Sequence, residues 1–310
     1  MIALLAPGQG SQTPGMLEPW LELDGARERV AAWSESTGVD LLALGTTAAA
    51  EEIKDTAVTQ PLVVASALLA AEELTRRVEL PAGTPVVGHS VGELAAAALA
   101  GVLSDDEAVG LAAVRGREMA AACAAAPTGM SAVLGGDPDE VLDALARHGL
   151  DPANRNGAGQ IVAAGPADAL AALAEDKPER ARVVPLPVAG AFHTRFMAPA
   201  EQAMNEHADK LRPRDPSRPL LSNADGEPVT DGAEMLRRLV AQVTKPVRWD
   251  CCMAGLRALG VTATVELPPA GTLSGLVKRE LKGTTTVALH EPHDLDQVAG
   301  LRGEHSGSPA

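Results

Sequence analysis

The sequence predicts an α/β protein in which a large parallel-sheet domain is interrupted by a small inserted α+β unit. Three observations carry this reading. Apolar strand-like runs alternate with Ala- and Leu-rich helical patterns along the chain. One such strand passes through a glycine-framed turn directly into a helix. The middle of the chain reads β-α-β-β-α-β, the order of a ferredoxin-like unit. At roughly 150 residues per domain, 310 residues correspond to about two domains.

The first strand is Ile2–Ala6, and it ends in the polar, Gly-rich turn Pro7-Gly8-Gln9-Gly10-Ser11-Gln12. Helical spacing follows through Leu44 and again from Thr59 to Val78, where Leu62, Val63, Ser66, Leu69, Ala70 and Glu73 share a face. Thr84–Gly88 is a short strand and Val91–Ala100 an Ala-rich helix. Ser104 with Glu107 has capping-box spacing and opens a helix to about Ala122.

The inserted unit is expected at 128–188. Its strands are Met130–Gly135, Asp151–Asn156, Gln160–Gly165 and Ala181–Val188, and its helices Asp137–His148 and Pro166–Asp176. The large domain comprises 1–127 and 189–290. It resumes with helix Ala198–Leu211, strand Leu220–Asn223, helices Ala233–Thr244 and Asp250–Leu259, strand Thr264–Glu266 and helix Thr272–Leu281. The polar, Gly- and Ser-containing tail 291–310 is expected to be disordered.

Composition removes whole classes of function. Hydrophobic residues at 46% and charged residues at 22% are globular values, which excludes a wholly disordered chain. Aromatics are only 2%, with no Tyr, so the core must be built from Ala, Val and Leu. A net charge of −15 argues against nucleic acid or an anionic membrane as partner. Cys123, Cys251 and Cys252 are odd in number and lack CxxC spacing, so neither a disulfide framework nor a structural zinc is expected. No charged leader with an apolar core opens the chain, and the Ala-rich stretches break before they span a bilayer. The expectation is a soluble cytoplasmic monomer.

Gly88-His89-Ser90-Val91-Gly92 is a GxSxG motif between a predicted strand and a predicted helix. Its glycines permit the sharp turn that thrusts a serine hydroxyl into a cleft, with a helix N-terminus behind it to receive an oxyanion. A free serine hydroxyl is a poor nucleophile and needs a base. Of the seven histidines, His148 and His207 sit on solvated helix patterns, and His290, His293 and His305 lie near the polar end. His89 adjoins the serine, where consecutive side chains diverge. His193, between Phe192 and Thr194 in an apolar segment, is the best base candidate; taken alone, a histidine there is more often an ordinary core residue.

Arg115 falls on the apolar stripe Leu111, Ala112, Arg115, Met119, Ala122, whereas Arg117 projects elsewhere. A buried guanidinium demands a carboxylate partner. Two readings are equally open from the pattern: an internal ion pair, or an anchor for a substrate carboxylate. Gln9 and Gln242 are polar residues beside predicted pocket elements.

These pieces together resemble the malonyl-CoA:acyl-carrier-protein transacylases and the acyltransferase domains of polyketide synthases. The matching segments are Pro7–Gln12, Gly88–Glu93, Arg115-Gly116-Arg117, Asn156 with Gln160–Gly165, Phe192-His193, Gln242 before Pro246–Trp249, and Glu266–Gly271. They occur in the family's order over about residues 4–282. The resemblance implies a hydrolase-like large domain with a parallel sheet and an inserted ferredoxin-like small domain. It implies Ser90 as nucleophile and His193 as general base and acid. Backbone N–H groups of Gln9 and Val91 form the oxyanion hole, Arg115 holds the malonyl carboxylate, and the Gln242 backbone carbonyl supports His193. Asn156 and Met119 join the substrate-binding set. Phe192, before the histidine, resembles the malonyl-selecting pattern of related domains, its bulk crowding a methyl at C2.

The implied partners are malonyl-CoA and phosphopantetheinylated acyl carrier protein, with no cofactor and no metal. Carrier proteins are acidic, so local basic patches are required on an acidic chain. Candidates are Lys177, Arg180 and Arg182 on the small unit, and Arg237, Arg238, Lys245 and Arg248 on the large one. The absence of carrier or linker segments argues against a fragment acting in cis. Two alternatives remain open: a trans-acting polyketide acyltransferase with another extender unit, and a serine esterase or thioesterase. The esterase predicts an acidic triad partner and has no use for Arg115.

Overall fold

The computed structural model describes residues 1–305. The chain opens with β1 (Ile2–Ala6), whose side chains from Ala3 onward are buried. Helices α1 (Ala26–Thr37), α2 (Leu41–Thr46) and α3 (Thr56–Arg77) follow, then β2 (Val86–Gly88), α4 (Gly92–Leu99) and α5 (Asp105–Cys123). The start of α5 is fixed by a full capping box. Ser104 Oγ accepts from the Glu107 N–H, and Glu107 Oε2 accepts from the Ser104 N–H.

Helix α3 departs from the sequence expectation. It is long and apolar enough to cross a membrane, since its charges are confined to the last turns, but its apolar stretch is buried inside the fold. Length and composition alone do not separate a core helix of this kind from a membrane span.

The chain then builds β3 (Thr128–Gly135), α6 (Pro138–Arg147), β4 (Asp151–Gly157), β5 (Gln160–Pro166), α7 (Ala167–Glu175) and β6 (Ala181–Pro185). These strands form an antiparallel sheet in the order β4-β5-β3-β6. Strand alternation divides its two faces. Val133, Ile161 and Ala163 pack under α6 and α7 with Val141, Leu145 and Leu173. Met130, Val162 and Ala164 face the opposite way and join the main core.

The return segment carries α8 (Ala198–Ala208), β7 (Leu220–Leu221), β8 (Pro228–Val229), α9 (Gly232–Ala241), α10 (Trp249–Ala258), β9 (Ala263–Glu266), α11 (Thr272–Glu280) and β10 (Thr285–Ala288). The large sheet has the order β10-β9-β1-β2-β7-β8. All its pairings are parallel except β7 with β8 at the edge. Central β1 has β2 on one side and β9 on the other, so a crevice opens beyond the carboxyl ends of the strands, where such sheets bind ligands.

Three further elements depart from the sequence expectation. Strands β8 and β10 were not foreseen: β8 has two residues, and β10 is an edge strand of four residues with no clear alternation. The tail expected to be disordered from 291 instead folds. A short 3-10 turn leads into α12 (Leu295–His305), where Leu295, Val298 and Leu301 enter the main core and Asp294 accepts from the His290 and Glu291 N–H groups. Three apolar side chains at spacing three outweigh the polar composition around them. Residues 306–310 of that expected tail lie outside the described residues.

Candidate active site

The turn between β2 and α4 is built on two glycines for reasons of space. A Cβ on Gly88 would meet the Gly92 carbonyl carbon at 2.1 Å, and one on Gly92 would meet the Ala6 carbonyl oxygen at 2.2 Å. Strand, turn and helix therefore pack backbone against backbone. Between them Ser90 takes φ 55°, a left-handed conformation that costs a non-glycine residue about 1–3 kcal/mol. His193 is held similarly at φ 61°.

Ser90 Oγ lies 2.8 Å from His193 Nε2, although 103 residues separate them in sequence. On its other side, His193 Nδ1 is 2.8 Å from the Gln242 backbone carbonyl. A carbonyl only accepts, so Nδ1 carries the proton and Nε2 is left as the acceptor facing the serine. Burial, and then the Arg115 guanidinium, push the imidazole down to about 3. His193 is therefore neutral, the form a base requires. Among the described residues no acidic side chain meets His193, whereas the esterase reading expects one.

Arg115 is buried, with Nη1 donating to Gln60 Oε1 at 2.7 Å and Nη2 to Gln242 Oε1 at 3.0 Å. Nη2 also lies 3.3 Å from Ser90 Oγ. All three acceptors are uncharged, and no ion pair forms to Arg115 among the described residues. Its nearest charge partner is Glu93, reached through the Gln242 side chain. Burial draws the guanidinium down to about 10. Of the two readings left open by the sequence, the internal ion pair is absent, and a positive charge stands beside the nucleophile without a direct carboxylate.

The remaining sequence candidates fall around one cleft of about 440 Å³, lined among others by Gln9, Ser90, Arg115, Met119, Asn156 and Phe192. One wall is the helix-free face of the small sheet, through Met130, Ala132 and Val162. Gln9 Nε2 donates to Thr56 Oγ1 at 3.2 Å. Asn156 Oδ1 meets His89 Nε2 at 2.9 Å, and His89 packs edge-on against Trp249 with ring centroids 5.4 Å apart. The backbone N–H groups of Gln9 and Val91 donate to no acceptor among the described residues, although Val91 is buried. Backbone donors left without a partner are open to an incoming acceptor.

Sequence reasoning gave no role to three residues that hold this centre. Asn223, 0% exposed, accepts from the Ser90 N–H at 2.8 Å through Oδ1 and donates to the Gly88 carbonyl at 2.7 Å through Nδ2. It thus clamps both ends of the nucleophile turn. Gln60 was legible as a polar residue inside an apolar helix. Glu93 stood in the motif but had no partner that spacing alone would reveal. Among the described residues, no group of three or more His, Cys, Asp or Glu is placed to hold a metal ion.

Of the basic candidates, Arg237 pairs with Glu234, Arg238 with Asp225 and Glu234, and Arg248 with Asp250. Lys177, Arg180, Arg182 and Lys245 are exposed and form no ion pair among the described residues. An unforeseen cluster is Lys278, Arg279 and Lys282, exposed at the end of α11 and without ion-pair partners among the described residues. The first turns of the same helix line the cleft through Thr272, Leu273 and Leu276.

Comparison with known proteins places these features in context. The sequence model of the acyl transferase domain matches residues 4–302. The chain is 61% identical to malonyl CoA-acyl carrier protein transacylase of Mycobacterium bovis over 303 residues, covering 97% of this chain and 100% of the relative. The corresponding enzyme of Bacillus subtilis is 33% identical over 95% of both chains. Among solved structures, MCAT from Mycobacterium tuberculosis superposes with a TM-score of 0.93 at 61% identity, covering 96% of this chain and 99% of the other. A malonyl-transacylase solved in complex with its type II PKS acyl-carrier protein gives 0.91 at 28% identity, covering 97% and 99%.

Proposed function

The chain belongs to the acyl transferase domain family, and from that premise we propose that it moves a malonyl group from malonyl-CoA to the phosphopantetheine thiol of an acyl carrier protein. The observation that carries this reading is the convergence of Ser90, His193 and Arg115 within hydrogen-bond reach. A nucleophile and base alone would suit any ester. A buried cation beside them, satisfied only by neutral groups, suits an acyl group ending in a carboxylate.

In the first half-reaction, Ser90 Oγ attacks the thioester carbonyl carbon and gives its proton to His193 Nε2. The carbonyl oxygen becomes an oxyanion received by the Gln9 and Val91 N–H groups, each such donor being worth about 3 kcal/mol. The Gln242 carbonyl stabilises the imidazolium through Nδ1–H. The C–S bond then breaks, and the departing CoA thiolate takes the proton from Nε2. Malonyl-Ser90 remains, its carboxylate on Arg115.

The second half runs the same steps in reverse with a new thiol. The pantetheine S–H gives its proton to His193, sulfur attacks the serine ester, and the Ser90 alkoxide leaves with that proton. Two substrates share one site in turn, which is ping-pong kinetics. These steps use only side chains and backbone of this chain, and no cofactor.

Phe192 and Met119, both buried on the cleft, restrict room around the acyl group, which supports malonyl over its C2-methylated homologue. The carrier protein is acidic, and the unpaired Lys278, Arg279 and Lys282 supply a complementary face on the helix that runs into the cleft. The helix-free sheet face of residues 128–188 walls the acyl site through Met130, Ala132 and Val162.

Intact-protein mass measurement after mixing with malonyl-CoA tests the reading. One malonyl adduct is expected, lost in Ser90→Ala and discharged by added carrier protein. CoA release with no adduct at any time point, and no transfer to the carrier, would make the protein a hydrolase instead.

A further inference from the structure

The mechanism leaves several buried ionisable groups unused, Glu93 among them. Glu93 sits in the first turn of α4, three residues after the nucleophile and 1% exposed. Burial pushes its carboxyl upward, while the Asn223 N–H, Gln242, Arg115 and Arg238 pull it back toward the carboxylate, the form that two N–H donors on its oxygens require. A buried acid kept at this cost is unexplained by packing alone.

Its two oxygens are both committed. Oε1 accepts from the Asn223 N–H at 2.5 Å, and Oε2 accepts from Gln242 Nε2 in a very short contact. Gln242 Nε2 also donates to Asn223 Oδ1 at 3.2 Å. Each neighbour of that nitrogen is an acceptor, so only one orientation of the Gln242 amide satisfies them. In that orientation Oε1 turns toward Arg115 and accepts from Nη2. The reverse orientation would set the amide NH₂ against a guanidinium, donor against donor.

The geometry points to Glu93 as a positioning residue that sets carboxylate specificity: it locks the Gln242 amide so that Arg115 is held, without being neutralised, beside Ser90. The inference rests on the malonyl-transfer reading above. Gln242 divides the labour. Its main-chain carbonyl serves His193 and every acyl substrate, while its side chain serves Arg115 and only substrates with a carboxylate. A direct Glu93–Arg115 ion pair would hold the guanidinium equally well, but would compete with the substrate for it. Interposing an amide keeps Arg115 in place with its charge unspent.

The substitution that tests this is Glu93→Gln. It keeps the shape but replaces one acceptor oxygen with a donor NH₂. The Asn223 N–H holds the remaining oxygen, so the new NH₂ faces Gln242 and drives its amide to flip. Acylation of Ser90 by malonyl-CoA and by acetyl-CoA is measured side by side, with thermal melting to establish folding. Glu93→Asp, which keeps the acid but withdraws it by one methylene, is the second variant.

The expected result is a fall of about tenfold or more in the malonyl-to-acetyl ratio of kcat/KM, with acetyl acylation near the wild-type rate. Folded variants that lose both substrates in equal proportion, or neither, would overturn the inference. So would failure of both variants to fold, which would make Glu93 a structural residue. Absence of malonyl acylation in the wild-type protein would instead defeat the transfer reading, and is read out separately.

Discussion

Gln242 holds His193 and Arg115 at once: its backbone oxygen lies 2.8 Å from His193 Nδ1, and its side-chain oxygen 3.0 Å from Arg115 Nη2. The base and the cation are therefore positioned from a single residue, at the end of α9, where the helix tightens into a 3-10 turn. A displacement of that turn would move both.

Arg115→Ala tests the division between acyl groups. Losing a charged hydrogen bond to the substrate carboxylate should lower kcat/KM for malonyl-CoA by about a hundredfold. Acetyl-CoA carries no such group, so its acylation rate should hold or rise. Equal loss of both substrates would remove Arg115 from its anchoring role.

The protonation of His193 gives a prediction about rate. Its imidazole is pushed to about 3 by burial and by Arg115, so the free enzyme keeps its base form well below pH 6.5. The pH profile of kcat/KM reports free-enzyme groups. Malonyl acylation should stay level from pH 7 to pH 5, with no acid limb near 6.5. In Arg115→Ala, followed with acetyl-CoA, the limb should move upward.

The cationic end of α11 should act on the carrier protein alone. The double charge reversal Lys278→Glu with Arg279→Glu is expected to raise KM for carrier protein about tenfold at low salt, with malonyl-CoA acylation unchanged. The difference should shrink as salt screens it. Insensitivity of carrier KM to these changes would move the docking face elsewhere.

Truncation after residue 290 tests the folded tail. It removes Leu295, Val298 and Leu301 from the main core, each worth about 1.5–3 kcal/mol of burial. The shortened chain should melt well below the full one.

Much of the fold was legible because it is written in local rules. Strand Ile2–Ala6, the Ser104–Glu107 capping box and the β-α-β-β-α-β order depend on residues close together in sequence. The tail and the short strands were missed for the opposite reason. Leu295, Val298 and Leu301 earn their helix only by entering a core made by other segments.

The site divides along the same line. By itself, the sequence determined which residues carry unusual chemistry: the glycine-framed Ser90, a histidine in an apolar segment, and an arginine on an apolar stripe. It left open whether Arg115 was spent on an internal carboxylate. Only the tertiary structure decided that, because the partners of Arg115 come from three separate parts of the chain: Gln60 on α3, Ser90 before α4 and Gln242 after α9, with Glu93 of α4 behind Gln242. Their mutual orientation is set by hydrogen-bond donors meeting acceptors across the fold. That complementarity has no period and no spacing along a chain.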